Sequence, residues 1–123
     1  MENVISFKNL TVWQKALSWS CNIILLIDSL NTDRKHFRLF EQIESSAASV
    51  PMNISEGNGR FSKKEYLHFL YIARGSAFET ITLLNLFCQM KWIDVQKLND
   101  LENEGTEIVK MINGLIKSLK SKP

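Results

Sequence analysis

Residues 42–60, QIESSAASVPMNISEGNGR, decide how the rest of the chain is interpreted. Apolar residues recur in this stretch at spacings of four, three and four: Ile43, Ala47, Val50 and Ile54. This spacing is typical of the buried seam of a helix in a bundle. Small side chains fill most positions between Gln42 and Val50, so a neighbouring helix can approach closely. We therefore predict a bundle helix over residues 36–56.

Pro51 lies inside this predicted helix. Proline cannot donate a hydrogen bond to the carbonyl of Ala47, and its ring crowds that carbonyl, so a kink is expected. The alternative is two short helices broken at Val50. One helix kinked at Pro51 is favoured, because the apolar seam continues in register to Ile54. Residues 57–59, Gly-Asn-Gly, are expected to end the helix in a left-handed cap conformation.

Three further helices are predicted around this one, over residues 10–30, 62–90 and 94–119. Ser62 and Glu65 form a capping-box pattern, and Asp94 is a good N-cap. Short connections make consecutive helices antiparallel. We therefore predict an all-α fold, an up-down-up-down antiparallel four-helix bundle that occupies residues 1–123 as a single domain.

The first helix carries more apolar side chains than one face can hold. One set lies on one side of it: Leu10, Trp13, Leu17, Ile24 and Ile27. A second set thickens that face or forms another: Val12, Ala16, Trp19, Ile23 and Leu26. A lone protomer would leave one such face, or the small-residue stripe of the second helix, exposed to water. These features predict a homo-oligomer.

Composition excludes several classes of protein. The chain has 123 residues, 45% hydrophobic and 23% charged, with a net charge of +2. It is too apolar for a disordered chain, and too balanced in charge to indicate nucleic acid by composition alone. Its most apolar run, residues 23–27, is far shorter than the roughly 20 residues that span a membrane. With no signal peptide pattern either, we expect a cytoplasmic protein that has no membrane contact. Cys21 and Cys88 make no disulfide framework and are expected to be small core residues.

No pattern of catalytic or metal-binding residues is found. His36 and His68 fall on different predicted helices, and neither belongs to a Glu-x-x-His motif. Gly57 and Gly59 do not form a phosphate loop, because no Gly-Lys-Ser ending follows and no strand precedes them. We therefore predict no enzyme, no catalytic residue, no metal and no cofactor.

Polar residues accompany the seam and continue into the third helix. The group comprises Gln42, Ser49, Asn53, Glu56, Gly57, Arg60, Arg74, Gly75, Ser76 and Glu79. We interpret it as a structural hydrogen-bonded network that fixes one packing arrangement. Glu56 can pair locally with Arg60, whereas reaching Arg74 or Glu79 needs a second contact, for example from another subunit. The alternative is a small-molecule site formed by Asn53, Glu56, Arg60 and Glu79.

Basic residues form three groups that are candidates for contact with nucleic acid or a partner. They are Arg34, Lys35 and Arg38; Lys63 and Lys64, next to Arg60; and Lys110, Lys117 and Lys120 near the end of the fourth helix. Solvated surface charge is the default interpretation. Packing decides whether the last two groups lie at the same end of the bundle.

Three stretches together resemble the 23S rRNA intervening-sequence proteins. They are residues 7–16, FKNLTVWQKA; the opening stretch 42–60; and residues 69–79, FLYIARGSAFE, in the family's order and spacing. The resemblance implies a four-helix bundle that assembles as a ring, commonly a homopentamer, and it supplies no catalytic residues. The similar accessory variability determinant proteins of diversity-generating retroelements form such rings and bind nucleic acid and a reverse transcriptase. The expected function is therefore a non-enzymatic oligomeric scaffold for RNA or a ribonucleoprotein, with a protein-interaction module serving a polymerase as the alternative.

The sequence departs from this family pattern at several positions. Glu44 and Ser45 stand where two arginines are usual, which lowers the local charge by three. If those arginines contact nucleic acid in relatives, this protein is expected to bind it more weakly or not at all. Ser46 replaces a usual alanine, Ile81 and Leu83 replace Glu and Gln, and Lys91 replaces Gly.

Overall fold

A computed structural model describes residues 5–30 and 34–123, with Arg34 placed by its backbone and its side chain outside the described part. The α-helices are α1 (Thr11–Ser29), α2 (Phe37–Asn58), α3 (Lys63–Gln89) and α4 (Val95–Lys120). Short 3-10 turns, Ser6–Asn9 and Arg34–His36, precede α1 and α2. The described ranges contain no strand. Each helix begins and ends within a few residues of its predicted bounds, and the all-α prediction is confirmed.

The helices pack as a four-membered bundle in which each contacts two neighbours. The contacts join α1 to α2, α2 to α3, α3 to α4, and α4 back to α1, so α1 and α3 lie on a diagonal. Bonded pairs between α2 and α3 run in opposite directions along the two helices: Ser46 with Thr80, and Ser49 with Ser76. The predicted up-down-up-down arrangement is therefore present.

The seam of α2 lies where its spacing predicts. Its apolar residues are all fully buried: Ile43, Ala47, Val50 and Ile54. The helix continues without interruption through Pro51, so the alternative of two short helices is wrong. The kink at Pro51 stays a prediction.

On α1 the core takes Ile27 from the first apolar set and all of the second set except the half-buried Leu26. Its core residues are Val12, Ala16, Trp19, Ile23 and Ile27. Leu17, expected inside, is 42% exposed, and Cys21 is exposed rather than a core residue. Trp19 determines this choice, because its buried indole N–H donates to the Leu101 carbonyl across the bundle at 2.9 Å. A large ring with one polar atom is best buried where that atom finds a partner.

Gly57 does not form the expected left-handed cap. It lies inside α2, which ends at Gly59 with a φ of −79°, in the right-handed region. A Cβ atom at Gly57 would lie 2.9 Å from both Phe69 Cβ and Tyr66 Cδ1. Glycine is needed there because α3 passes too close for any side chain.

The end of α3 has the left-handed residue that the end of α2 lacks. Lys91 has a φ of 63°, the only positive φ among the described residues. Its N–H donates to the Cys88 carbonyl and that of Trp92 to the Phe87 carbonyl, each at 2.9 Å. The Trp92 and Phe87 rings pack at 5.2 Å, which completes a Schellman motif with its apolar contact. A glycine normally occupies the left-handed position of this motif, and the family pattern has one there.

Replacing Lys91 with glycine is expected to raise the free energy of unfolding by about 1 kcal/mol, because the left-handed conformation costs a side chain that much. Urea denaturation measures the change as a higher midpoint at an unchanged slope. The matched control is Lys110→Gly, inside α4, which should lower stability by about 1 kcal/mol. A midpoint for Lys91→Gly at or below that of the wild type would contradict the assignment.

Candidate functional site

Hydroxyl groups form a polar ladder along the contact between α2 and α3. Ser46 Oγ lies 2.8 Å from Thr80 Oγ1, and Ser49 Oγ lies 2.8 Å from Ser76 Oγ. Asn53 Nδ2 extends this hydroxyl ladder by donating to the carbonyl and to Oγ of Ser49, each at 2.8 Å. Ser46 and Thr80 are buried, and each hydroxyl also bonds a carbonyl of its own helix, that of Ile43 or Ser76. Small side chains let the two helices approach closely enough for hydroxyls to meet.

The remaining polar residues of the family motif lie at separate places. Gln42 Nε2 donates to Glu79 Oε2 at 3.4 Å, a long bond on the surface. Arg74 donates to Asn113 Oδ1 of α4 at 2.8 Å. Gly75 is exposed on α3 with nothing within 4 Å of a Cβ position, so no close contact inside the protomer explains it.

Glu56 and Arg60 make a local ion pair at the turn between α2 and α3, 2.9 Å apart and largely exposed. They border a surface depression together with Phe7, Ser55 and Gly59. Asn53 and Glu79 do not line it. The four residues named for a small-molecule site are therefore not gathered in one cavity of the described structure.

The two histidines also lie apart. His36 packs against Trp92 with ring centroids 4.6 Å apart, and His68 lies beside Phe69 at 5.5 Å. Within residues 5–30 and 34–123, no three His, Cys, Asp or Glu side chains are placed to hold a metal ion together. No helix of those ranges is both long and apolar enough to traverse a bilayer.

Two of the basic groups meet at one end of the bundle. Lys63 Nζ, at the start of α3, donates to the Lys122 carbonyl beyond the end of α4 at 2.6 Å. The exposed Tyr71 ring lies 5.6 Å from Lys120 Nζ and 5.1 Å from the Arg74 guanidinium carbon. We call this surface the basic end and define it by Arg60, Lys63, Lys64, Lys117, Lys120 and Lys122.

Acidic side chains are sparse at the basic end and frequent away from it. Glu56 is paired with Arg60, and Glu65 lies in the first turn of α3. The acids of α4 lie in its first half, whereas its last turn carries Lys117 and Lys120. Cations near the C-terminus of a helix also complement its dipole.

The other basic candidates lie elsewhere. Lys110 shares an exposed row of α4 with Asn113, Lys117 and Lys120, so it extends the basic end along the bundle. Lys35 and Arg38 lie at the start of α2, at the opposite end, and Arg34 has no described side chain.

Sequence reasoning missed an apolar groove between α1 and α2. Its volume is about 290 Å³, and its lining is uncharged: Phe7, Trp13, Leu17, Ser20, Cys21, Ile24, Ala48, Pro51, Met52 and Ser55. We call it the α1–α2 groove. Trp13, Leu17 and Ile24 of the first apolar set form one wall, and small residues such as Ala48 and Ser20 leave it open. The signal was present in the sequence as small residues beside a surplus of apolar ones.

A second exposed apolar surface follows the outer side of α3. Its residues recur at spacings of three and four: Gly75, Phe78, Thr82 and Leu86. We call it the α3 ridge. Phe78 is 51% exposed and Leu86 is 38% exposed. Because α3 lies diagonally across from α1, the ridge and the groove lie on different sides of the bundle.

Comparisons with known proteins identify a family and a related solved structure. Residues 8–114 match the family model described as 23S rRNA-intervening sequence protein. A solved structure from Bacteroides thetaiotaomicron, of a protein with unknown function from the S23 ribosomal protein family, is 30% identical and has a TM-score of 0.81. The match covers 87% of this chain and 99% of that one. Among curated proteins, none matches this chain.

Proposed function

Because the chain belongs to the 23S rRNA-intervening sequence protein family, we propose that it is a non-enzymatic, homo-oligomeric scaffold that binds RNA through its basic end. The observation that carries the proposal is the convergence of cations from the start of α3 and the end of α4, seen at Lys63 and Lys120. A local cluster of Lys and Arg attracts phosphates even when the net charge of the chain is as small as +2.

The proposed RNA contact does not depend on the two missing family arginines. Asn58 is the last residue of α2. At a rise of about 1.5 Å per residue, Glu44 and Ser45 lie roughly 20 Å from it along the helix. The basic end lies beyond Asn58. Its cations can therefore contact phosphates although the middle of α2 has lost its positive charge.

Assembly follows from the two uncovered apolar surfaces. The α1–α2 groove is concave and uncharged, and the α3 ridge is apolar at Phe78 and Leu86 with the exposed Glu79 on its border. The occupant that fits the groove is therefore the ridge of a second copy, with Phe78 entering between Leu17 and Met52. Groove and ridge are different surfaces, so the contact is head-to-tail, and such contacts close into a ring when the rotation permits. We propose a ring of five subunits, as the family resemblance implies.

The RNA proposal predicts a strong dependence of binding on salt and on charge at one end of the bundle. The experiment titrates labelled ribosomal RNA with the full chain at two salt concentrations. Affinity should fall steeply as salt rises, since counterions are released on binding. The double variant Lys63→Glu with Lys120→Glu should bind about tenfold more weakly or worse at low salt.

The matched control carries the same charge reversal at the other end, as Arg38→Glu with Lys97→Glu. It should bind within about twofold of the wild type. Equal losses in the two double variants would indicate non-specific attraction and contradict the assigned surface. An oligomer that binds no RNA at low salt would instead favour the protein-interaction module.

A further inference from the structure

Phe61 is the most exposed large apolar side chain in the described ranges. It lies in the turn between α2 and α3, with a relative exposure of 109%, as in an extended peptide. No other such side chain in those ranges exceeds 65%. A phenyl ring that is as exposed in the folded chain as in an extended one buries no apolar area, so it adds nothing to the stability of the fold.

The local sequence offers Phe61 a place to pack that it does not use. Ser62 is the N-cap of α3, and its Oγ accepts the Glu65 N–H at 3.0 Å. An apolar residue just before such a cap commonly packs on the residue four positions into the helix, here Tyr66. Tyr66 is half-buried and its hydroxyl accepts a bond from Asn58 Nδ2 at 3.1 Å, yet Phe61 remains uncovered. The capped helix start therefore leaves the ring directed into solvent.

Cations flank this ring in the sequence, although the ring itself does not line the neighbouring cavity. Arg60 precedes it, and Lys63 and Lys64 follow within the next turn. The Arg60 guanidinium carbon lies 5.0 Å from the centre of the Phe69 ring, and Arg60 also pairs with Glu56. A cavity of about 640 Å³ beside the turn is lined by Arg60, Ser62, Lys64, Glu65, His68 and Phe69. An aromatic face next to several cations is the arrangement that holds a nucleotide, with the base on the ring and the phosphate on the cations.

We propose that Phe61 is a stacking platform for an unpaired base of the RNA held at the basic end. This inference rests on the proposed function and adds the class of ligand, which is single-stranded rather than fully paired RNA. Bases inside a duplex are stacked on each other and cannot lie on a side chain at the surface.

The test uses the full chain and a single-stranded RNA oligonucleotide that carries 2-aminopurine, whose fluorescence falls when it stacks. Phe61→Ala should weaken binding about tenfold and abolish the fluorescence change, since base–aromatic stacking contributes about that much. Phe61→Trp should retain both signals. Phe61→Leu, apolar but not aromatic, should resemble Phe61→Ala. Val95→Ala, a 64% exposed position at the other end of the bundle, should leave both signals unchanged.

The outcomes distinguish a failure of the stacking inference from a failure of the proposal that the basic end binds RNA. If the wild type and Phe61→Ala bind RNA equally well, the stacking inference is wrong, whereas the proposal that the basic end binds RNA is retained. If Phe61→Leu retains full affinity, the contact is apolar rather than stacked, and stacking is again wrong. If Phe61→Ala changes the mass of the oligomer but not RNA affinity, the ring is a subunit contact. If the wild type binds no RNA at low salt, both proposals fail together.

Discussion

Replacing Gly105 with alanine is expected to lower the free energy of unfolding by about 2 kcal/mol, although alanine is the better helix former. Gly105 is buried in α4 opposite α1. A Cβ atom there would lie 2.6 Å from Trp19 Cζ2 and 3.1 Å from Ile81 Cδ1. The indole cannot move aside, because the Trp19 ring is 1% exposed and its N–H is bonded to the Leu101 carbonyl. The added methyl group therefore strains the core or breaks that bond.

The same helix supplies the control. Gly114 is exposed, with nothing within 4 Å of a Cβ position, so Gly114→Ala should raise stability by about 1 kcal/mol. Urea denaturation midpoints of the two variants should move in opposite directions. On a Trp19→Phe background, which removes the clashing part of the indole, Gly105→Ala should cost less. Shifts of the same sign for Gly105→Ala and Gly114→Ala would show that the clash does not control stability at Gly105.

Replacing either Leu17 in the α1–α2 groove or Phe78 on the α3 ridge with aspartate is expected to convert the assembly to monomers. Both side chains are substantially exposed in the protomer, so the charge should not prevent folding. In the proposed contact the same carboxylate would be buried without a partner, at a cost of several kcal/mol. Light scattering on each variant measures the mass, and circular dichroism checks its helix content.

Mixing the two variants tests which surfaces meet. The Leu17→Asp chain keeps an intact ridge, and the Phe78→Asp chain keeps an intact groove. An equal mixture should therefore form heterodimers and nothing larger, since the other two surfaces are blocked. Leu25→Asp, on α1 but outside the groove, should leave the wild-type mass unchanged. Wild-type mass for either single variant would place the subunit contact elsewhere.

Periodicity determined the helices and the seam of α2, because α2 has one apolar face and Ile43 and Ile54 can lie only inside. On α1 it could not choose between two apolar faces. That choice depended on where the Trp19 N–H finds a carbonyl, on α4, far away in the sequence. Gly57 was predicted to form a left-handed cap, whereas its role is to let α3 pass closely. A sequence does not reveal how closely two helices approach.

The candidate site was less accessible to sequence reasoning than the fold. The basic residues were all visible, yet only the packing of α4 against α3 shows that Lys63 and Lys120 share a surface while Arg38 does not. Phe61 was not among the residues singled out from the sequence. Its exposure is a tertiary property and became evident only in the folded chain.

The hydroxyl ladder between α2 and α3 has a consequence for assembly. Moving α3 along α2 by one turn, about 5.4 Å, would separate Ser46 from Thr80 and Ser49 from Ser76 together. Ser46 and Thr80 would keep only their bonds to the Ile43 and Ser76 carbonyls of their own helices, so the loss of the interhelical bonds disfavours any other alignment. The position of the α3 ridge along the bundle axis, relative to the α1–α2 groove, is thereby the same in every copy. Every subunit contact in the proposed assembly is then the same, and such repeated contacts close into a ring when the rotation between subunits permits.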